Sequence, residues 1–253
     1  MNRVKVGFFS LSGHATGGDD RPYLRWHQLD HMPEQYQLPG LVLGQRWAAT
    51  PACRAARVAG AERWSGVGNV VLYLMGEPLD ETLDEFLALG RRLAEMGRFS
   101  ERLPSCYQGG LRLLETWASP AALVSPDVVP FRPNRGIYLI VEEATDRRRY
   151  DGHLQRMHAE VLPGLVSVPG VAGLWVFATS SAIRRPNFDD GEYRITVCYL
   201  DDDPPAVAER LREPLADAWA EAPVRPLLAA PYETVSVWDL DRFAPAGATR
   251  ASS

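Results

Sequence analysis

Lysine is almost absent from this chain of 253 residues, because Lys5 is the only one and arginine supplies the remaining basic side chains. Schiff-base catalysis would therefore have to use Lys5 or the N-terminal amine. The formal net charge is −5, and no basic cluster is present to neutralise nucleic-acid phosphates or to bind an anionic membrane surface. We accordingly expect no nucleic-acid partner and no membrane partner.

Cysteine is also scarce. Cys53, Cys106 and Cys198 lie far apart and form no CxxC pair, which argues against a disulfide framework, a zinc finger and an iron–sulfur cluster. No apolar run is long enough to span a bilayer, and the first residues lead straight into a strand-like segment without a signal-peptide pattern. These features predict a cytoplasmic protein.

The sequence does contain one order of predicted elements that occurs twice, βαββαβ, which is the ferredoxin-like unit. The first copy comprises strand 4–11, helix 21–38, strand 41–49, an irregular stretch 50–68, strand 69–75, helix 81–96 with Asp80 as its N-cap, and strand 110–117. The second comprises strand 137–142, helix 147–162, strands 171–178 and 193–200, helix 204–220 and strand 234–240. Pro39-Gly40 and Pro169-Gly170 hold the same place in the two copies.

This repeat predicts the domain organisation. Residues 1–117 would form the first ferredoxin-like half and residues 135–242 the second. The proline-rich segment 118–134 is typical of an extended linker, and the small, polar residues 243–253 are typical of a disordered tail.

Three predicted strands are continuously apolar over residues 70–75, 136–141 and 173–178. An antiparallel sheet with one wet face should instead alternate apolar and polar residues, so both faces of each sheet need a cover. Helices can cover one face, and the sheet of the other half can cover the second face at the high effective concentration of a single chain. We therefore predict an α+β protein in which two tandem ferredoxin-like βαββαβ halves with antiparallel sheets form an intramolecular α/β barrel.

The segment 23–34, YLRWHQLDHMPE, is followed by Pro39-Gly40. It resembles the helix with a histidine, a proline and a Pro-Gly turn in the dimeric α/β-barrel superfamily, which includes EthD-like and antibiotic-biosynthesis monooxygenase-like proteins. The second half carries a weaker echo in Tyr150, His153 and His158. The resemblance implies cofactor-free monooxygenases, isomerases, polyketide cyclases, haem enzymes or members without known activity, and the fold does not choose among them.

The first helix carries the candidate catalytic residues. Tyr23, His27, His31 and Glu34 are spaced i, i+4, i+8 and i+11, which places them on one stripe of an α-helix. The histidines suit general acid/base catalysis, with Glu34 as an orienting carboxylate. The alternative is a partly solvated stripe whose histidines bond to backbone or carboxylate groups.

The same residues could hold a metal through His27, His31 and Glu34, but no HExxH glutamate and no fourth ligand are evident, so we predict no metal site. Haem bound through a single histidine remains open, although no CxxCH motif is present. We predict no bound cofactor.

Four further residues are candidates for binding a substrate. They are Trp26, Arg46, Trp47 and His158. Arg46 could anchor a carboxylate or phenolate, although a salt bridge at a sheet edge is the favoured interpretation. His158 is interpreted as the structural counterpart of His31, because both precede a Pro-Gly turn.

The sequence thus favours a cofactor-independent enzyme acting by histidine general acid/base catalysis on a small hydrophobic or polyketide-like organic metabolite. Isomerisation, cyclisation, dehydration and decarboxylation are within reach of such a site. The alternatives are a cofactor-free monooxygenase of the same superfamily and a non-catalytic small-molecule-binding or structural barrel. The substrate, the reaction class and the oligomeric state, a homodimer included, stay open.

Overall fold

The computed structural model describes residues 2–99 and 103–244 as a mixed α+β protein with a nine-stranded antiparallel sheet. The strands are β1 Val6–Ser12, β2 Leu41–Ala48, β3 Ala59–Gly60, β4 Asn69–Met75, β5 Ser105–Ala118, β6 Gly136–Ala144, β7 Val171–Ala178, β8 Tyr193–Leu200 and β9 Val224–Thr234. The α-helices are α1 Arg21–Trp26, α2 Met32–Gln35, α3 Pro51–Ala55, α4 Leu79–Glu95, α5 Arg147–Arg156, α6 Leu162–Val166 and α7 Pro204–Trp219. The predicted α+β class with a large antiparallel sheet is confirmed.

The sheet connects both parts of the chain. Its hydrogen-bonded neighbours follow the order β2-β4-β1-β5-β7-β8-β6-β9-β3. β2 also pairs with β9, where Trp47 lies opposite Thr234 and Ala48 opposite Glu233. The hydrogen-bonded neighbours can therefore be followed from β2 through to β9 and from β9 back to β2. The two-residue strand β3 also pairs with β9.

Both faces of this sheet are buried. Along β4, Leu72 and Leu74 belong to a core shared with strands from both parts of the chain, whereas Tyr73 packs in a separate core with Phe86 of α4. A third core lies between the other strands and α5–α7. The continuous apolar runs are explained by this alternation, because successive side chains enter different cores.

Three strands have the bounds expected from the sequence, namely β4, β7 and β8. The predicted last strand at 234–240 is wrong, because the strand runs from Val224 to Thr234 and is followed by a 3₁₀ helix at Leu240–Phe243. Residues 224–234 contain Pro226 and Pro231, which disfavour a strand by pattern alone.

Several other boundaries also differ. Asp80 is not an N-cap, because α4 begins at Leu79 after Pro78. The stretch predicted as irregular contains α3, β3 and a 3₁₀ helix at Glu62–Gly66. Gly97 ends α4 as expected, with a φ of 69° that glycine adopts readily.

The segment 118–134 is not a plain extended linker. It contains a 3₁₀ helix at Pro126–Phe131, and Val129 and Pro130 are buried. The indole Nε1 of Trp175 donates a 2.9 Å hydrogen bond to the carbonyl of Pro126. Of the predicted tail, residues 245–253 lie outside the described part of the chain.

Candidate active site

The first helical segment is continuous but not regular. Between α1 and α2, residues His27–His31 form a π-helical turn, in which the N–H of Met32 donates to the carbonyl of His27. Pro33 follows directly and has no N–H to continue the α-helical pattern. Such wider turns are frequent at functional sites, and this one changes which side chains share a face.

A cavity of about 560 Å³ lies between this helical segment, α4 and the sheet. Its lining combines aromatic rings with polar and charged groups, among them Phe8, Ser10, Tyr23, Trp26, His27, His31, Gln35, Tyr73, Phe86, Arg91, Glu95, Phe99, Gln108 and Asn187. Aromatic walls with convergent polar groups are typical of sites for small organic ligands.

His27 and His31 form the polar centre of this cavity. Their ring centroids are 5.3 Å apart, and Nε2 of His27 lies 3.4 Å from the hydroxyl oxygen of Tyr73. Nε2 of His31 lies 3.5 Å from the amide nitrogen of Gln35. Nδ1 of each histidine is buried and has no hydrogen-bond partner in the described part of the chain. Both imidazoles therefore keep a ring nitrogen for a ligand.

Burial holds both imidazoles in the neutral form. It lowers the pKa of His27 well below 6.5, and the charges of Arg46 and His31 lower it further. Burial, followed by the charge of Arg46, lowers the pKa of His31 to about 4. At neutral pH both rings can accept a proton, although each is a weaker base than an exposed histidine.

Arg46 is a buried cation beside this pair. Its side chain is 2% exposed, and its guanidinium carbon lies 4.7 Å from the centroid of the Tyr23 ring. Nη2 donates a 3.0 Å hydrogen bond to Asn69, while Nε and Nη1 are buried without a partner among the described residues. The expected salt bridge is wrong, because the guanidinium bonds to the amide of Asn69 and no carboxylate among the described residues contacts it.

A chain of polar groups leads from Arg46 to a carboxylate. Asn69 donates a 2.8 Å hydrogen bond to Asp20, whose other contacts include His14 at 2.7 Å. Burial alone would raise the pKa of Asp20, but hydrogen bonds from His14, Ala15 and Asn69 outweigh it and hold the pKa below its ordinary value. Asp20 thus supplies a negative charge near Arg46.

The other predicted site residues are placed as follows. Tyr23 and Trp26 line the cavity. Glu34 lies on an outer groove and pairs with Arg98 at 2.7 Å, so it orients neither histidine. Trp47 points to the opposite face of the sheet, where its Nε1 donates to Asn134 at 3.0 Å.

His158 lies on the other helical segment and bonds to Glu115 at 2.7 Å. This segment has its own π turn, Met157–Val161, followed by Leu162 and Pro163 as the first is followed by Met32 and Pro33. In this register Val161 takes the place of His31, and His158 takes the place of Gln28. The prediction that His158 is the counterpart of His31 is therefore wrong.

Sequence reasoning missed Gln35, Tyr73, Gln108 and Asn187 as cavity residues. Gln35 had a signal, since it continues the i, i+4 spacing of His27 and His31. Tyr73 sits in a continuously apolar strand, and Asn187 comes from the loop between β7 and β8, so neither had a local signal. Within residues 2–99 and 103–244, no three His, Cys, Asp or Glu side chains converge as metal ligands.

Comparison with known proteins gives a likeness of fold. No family model and no curated protein matches the chain. A mutant chlorite dismutase from Candidatus Nitrospira defluvii is similar at a TM-score of 0.54 and 13% identity, over 95% of this chain and 96% of that one. A haem-binding protein from Thermus thermophilus is similar at 0.53 and 13%, over 95% and 94% of the two chains.

An anthrone oxidase-like protein is similar at a TM-score of 0.50 and 14% identity, over 92% of each chain. At such identities the likeness shows the fold alone, which is the ferredoxin-like fold of antibiotic-biosynthesis monooxygenase and chlorite dismutase-like proteins. The likeness supports the predicted ferredoxin-like fold. Among the described residues, no helix combines the length and apolar content needed to cross a membrane.

His27 and His31 do not fit an axial haem ligand, whereas Nδ1 of His158 has a carboxylate partner, Glu115, at 2.7 Å. Such a ligand uses one ring nitrogen for iron and commonly donates the other N–H to a carboxylate, a carbonyl or water. The Nδ1 atoms of His27 and His31 are buried without any such protein partner. His153 is 5% exposed and does not line the cavity beside Tyr150.

Proposed function

We propose that the chain is a cofactor-independent enzyme in which His27 acts as a general base on a small, flat, hydrophobic or polyketide-like organic molecule. One observation carries this proposal: the buried imidazole of His27 and the half-buried imidazole of His31, both neutral, line a cavity of about 560 Å³ with aromatic walls, and the charge of the buried Arg46 acts on both rings. Stacked rings bind a flat ligand, and the imidazoles take a proton from it.

Arg46 gives the proton transfer its driving force in this proposal. Proton removal from a carbon beside a carbonyl, or from a phenol, leaves negative charge on oxygen. Arg46 does not line the cavity, but its positive charge acts on both histidines and would stabilise such an oxyanion electrostatically. The weak basicity of His27 is then compensated by a substrate whose anion is stabilised.

The reactions that follow from this step are isomerisation, cyclisation, dehydration and decarboxylation. A cofactor-free oxygenase is the second candidate, since an electron-rich carbanion formed in the same way can react with O₂. The favouring observation is the shared fold with an anthrone oxidase-like protein, together with the deprotonating pair in the cavity.

Deuterium exchange tests the proton abstraction without knowledge of the final product. Anthrone, 1-tetralone and related enolisable aromatic ketones are incubated with the protein in D₂O, and incorporation at the carbon beside the carbonyl is followed by NMR. We expect catalysed exchange with at least one ketone and its loss by about a hundredfold in His27→Gln. The matched control His158→Gln keeps the wild-type rate.

Oxygen consumption measured in the same samples separates the oxygenase from the isomerase-type enzymes. Equal exchange in wild-type and His27→Gln proteins would contradict the proposed base. Binding of several ketones without exchange or oxygen consumption would favour the non-catalytic alternative. Mass and absorption spectra of the purified protein show whether a ligand or cofactor accompanies it.

We further infer that the chain is a tandem pair of ferredoxin-like halves, residues 1–117 and 135–242, joined by residues 118–134. The recurring π turn before a proline and the recurring Pro-Gly turn support this inference. The circular order of strand neighbours is what an intramolecular barrel of two such halves would have.

A further inference from the structure

His31 lies between two separate spaces. One is the cavity described above, and the other is an outer groove of about 850 Å³ that is more open to solvent. Among the described residues, only Trp26, His31 and Phe99 line both. The His31 ring is stacked on Trp26 with centroids 4.9 Å apart and meets the Phe99 ring edge-on, also at 4.9 Å. Of these three rings, the imidazole is the one that can carry a proton.

His27, in contrast to His31, lines only one of the two spaces. It is 3% exposed, lines the cavity but not the groove, and lies behind His31 as seen from the groove. The ring centroids are 5.3 Å apart, so the two imidazoles are direct neighbours. A proton bound to His27 therefore has His31 as its nearest titratable group on the groove side.

Neither ring retains a proton at neutral pH. Burial lowers the pKa of His27 well below its ordinary value and that of His31 to about 4. A proton placed on either ring is thus more stable on groove water. Arg46 lowers the proton affinity of both rings, which favours release.

We propose that His31 is a proton-transfer residue that connects the catalytic cavity with the outer groove. His27 accepts the proton while the electron pair of the broken bond stays on the substrate. The proton then passes from His27 to the neighbouring imidazole of His31. Finally His31 returns to its neutral form by giving the proton to water in the groove.

This inference rests on the proposed function, and it addresses a difficulty in it. A flat ligand that fills the cavity displaces the water through which His27 would otherwise lose its proton. The groove lies on the far side of His31 and stays open when the cavity is filled. Asp30 and the Glu34–Arg98 pair are the charged groups that line the groove, and Asp30 is exposed.

The test uses NMR on protein with ¹⁵N-labelled histidine and needs no substrate. Gly90 lines the cavity, and a Cβ built there meets no atom within 4 Å, so Gly90→Phe can fill the cavity from α4 without touching the groove. In this background we measure the rate at which the ring N–H of His27 exchanges with water. We expect His31→Phe, which keeps the aromatic stack, to slow exchange about tenfold or more.

The control in the same background is His158→Phe, which should leave the His27 rate unchanged. His31→Asn serves as a second variant if the phenylalanine disturbs folding, as judged by the amide spectrum. Exchange rates of His27 that agree within about twofold with and without His31 would overturn the proposal. Because no turnover is measured, this outcome is distinct from a failure of His27 as a base, which the ketone exchange experiment detects.

Discussion

At the scale of single residues, the site depends on a cation that the protein has enclosed. Arg46 is 2% exposed, and no carboxylate touches it directly in the described structure. Asn69 links it to Asp20, so that charge compensation is indirect and two guanidinium donors remain for another partner. A buried cation without a direct counter-ion is costly, and such a cost is commonly retained where the charge is used.

Arg46→Met tests the electrostatic coupling between the arginine and the histidines. Burial is the larger cause of the low pKa of His31 and persists in the variant, whereas the repulsion from the guanidinium is removed. We expect the pKa of His31 to rise from about 4 to about 5 and that of His27 to rise as well. Titration of the histidine ring protons by NMR measures both values. An unchanged pKa of His31 would show that the charge of Arg46 does not reach it, and Arg185→Met is the control.

His31 should also make the stability of the fold depend on pH. Its pKa is about 4 in the folded protein and 6.5 ordinarily. Between these values the unfolded chain binds a proton that the folded chain does not, so the free energy of unfolding falls as the pH falls. We expect His31→Gln to reduce the loss between about pH 7.5 and about pH 5 by about 1–2 kcal/mol.

Urea unfolding at the two pH values measures this difference, and His158→Gln provides the comparison. A loss that is the same in the wild-type and His31→Gln proteins would mean that the imidazole is not desolvated in the folded state.

The residue scale also shows where prediction from sequence stops. The stripe of Tyr23, His27 and His31 was recognisable, and all three line the cavity. Glu34 belonged to that stripe only on a regular α-helix. The π turn rotates the later residues, so that Gln35 lines the cavity and Glu34 faces the groove.

At the scale of elements, the sequence pattern fails to predict helices and strands of irregular geometry. β9 contains Pro226 and Pro231, yet it is a strand because it pairs along most of its length on one side only, with β6. On its other side it meets β2 and β3 at two residue pairs each. Prolines are tolerated on such edge-like positions, but nothing local in the sequence marks them as such.

Two glycines in the first part of the chain should respond oppositely to alanine. Gly90 lies within α4 where an added Cβ meets nothing within 4 Å, so Gly90→Ala should stabilise the protein by about 0.5–1 kcal/mol. Gly40 ends the Pro-Gly turn, where a Cβ would clash with Thr82 Oγ1 and lie 2.6 Å from the carbonyl oxygen of Gly76.

We therefore expect Gly40→Ala to destabilise the fold by about 2 kcal/mol or more. Urea denaturation of both variants measures the two changes. Equal stability of Gly40→Ala and the wild type would show that the turn and the start of α4 can separate without cost.

At the scale of the whole molecule, the α+β class and several strands could be predicted, because strands that are buried on both faces have continuously apolar sequences. Strands β4 and β7 were found at their observed bounds, since a strand buried on both faces is almost continuously apolar. The pairing of β2 with β9 could not be derived in this way. Register between distant strands depends on side-chain packing across the sheet, and it is not a property of either segment alone.

The exposed loop between β5 and β6 allows a test of how strongly the two parts of the chain hold together. Leu123 is 97% exposed, so a protease recognition site inserted after it should be cut without disturbing the core. The fragments would remain joined by the β5–β7 and β2–β9 pairings and by the shared core. We expect the cut protein to elute as one species of unchanged size and to separate only in denaturant. Two folded fragments that elute separately after cleavage would show that neither sheet needs the other as a cover, and the tandem barrel would have to be abandoned.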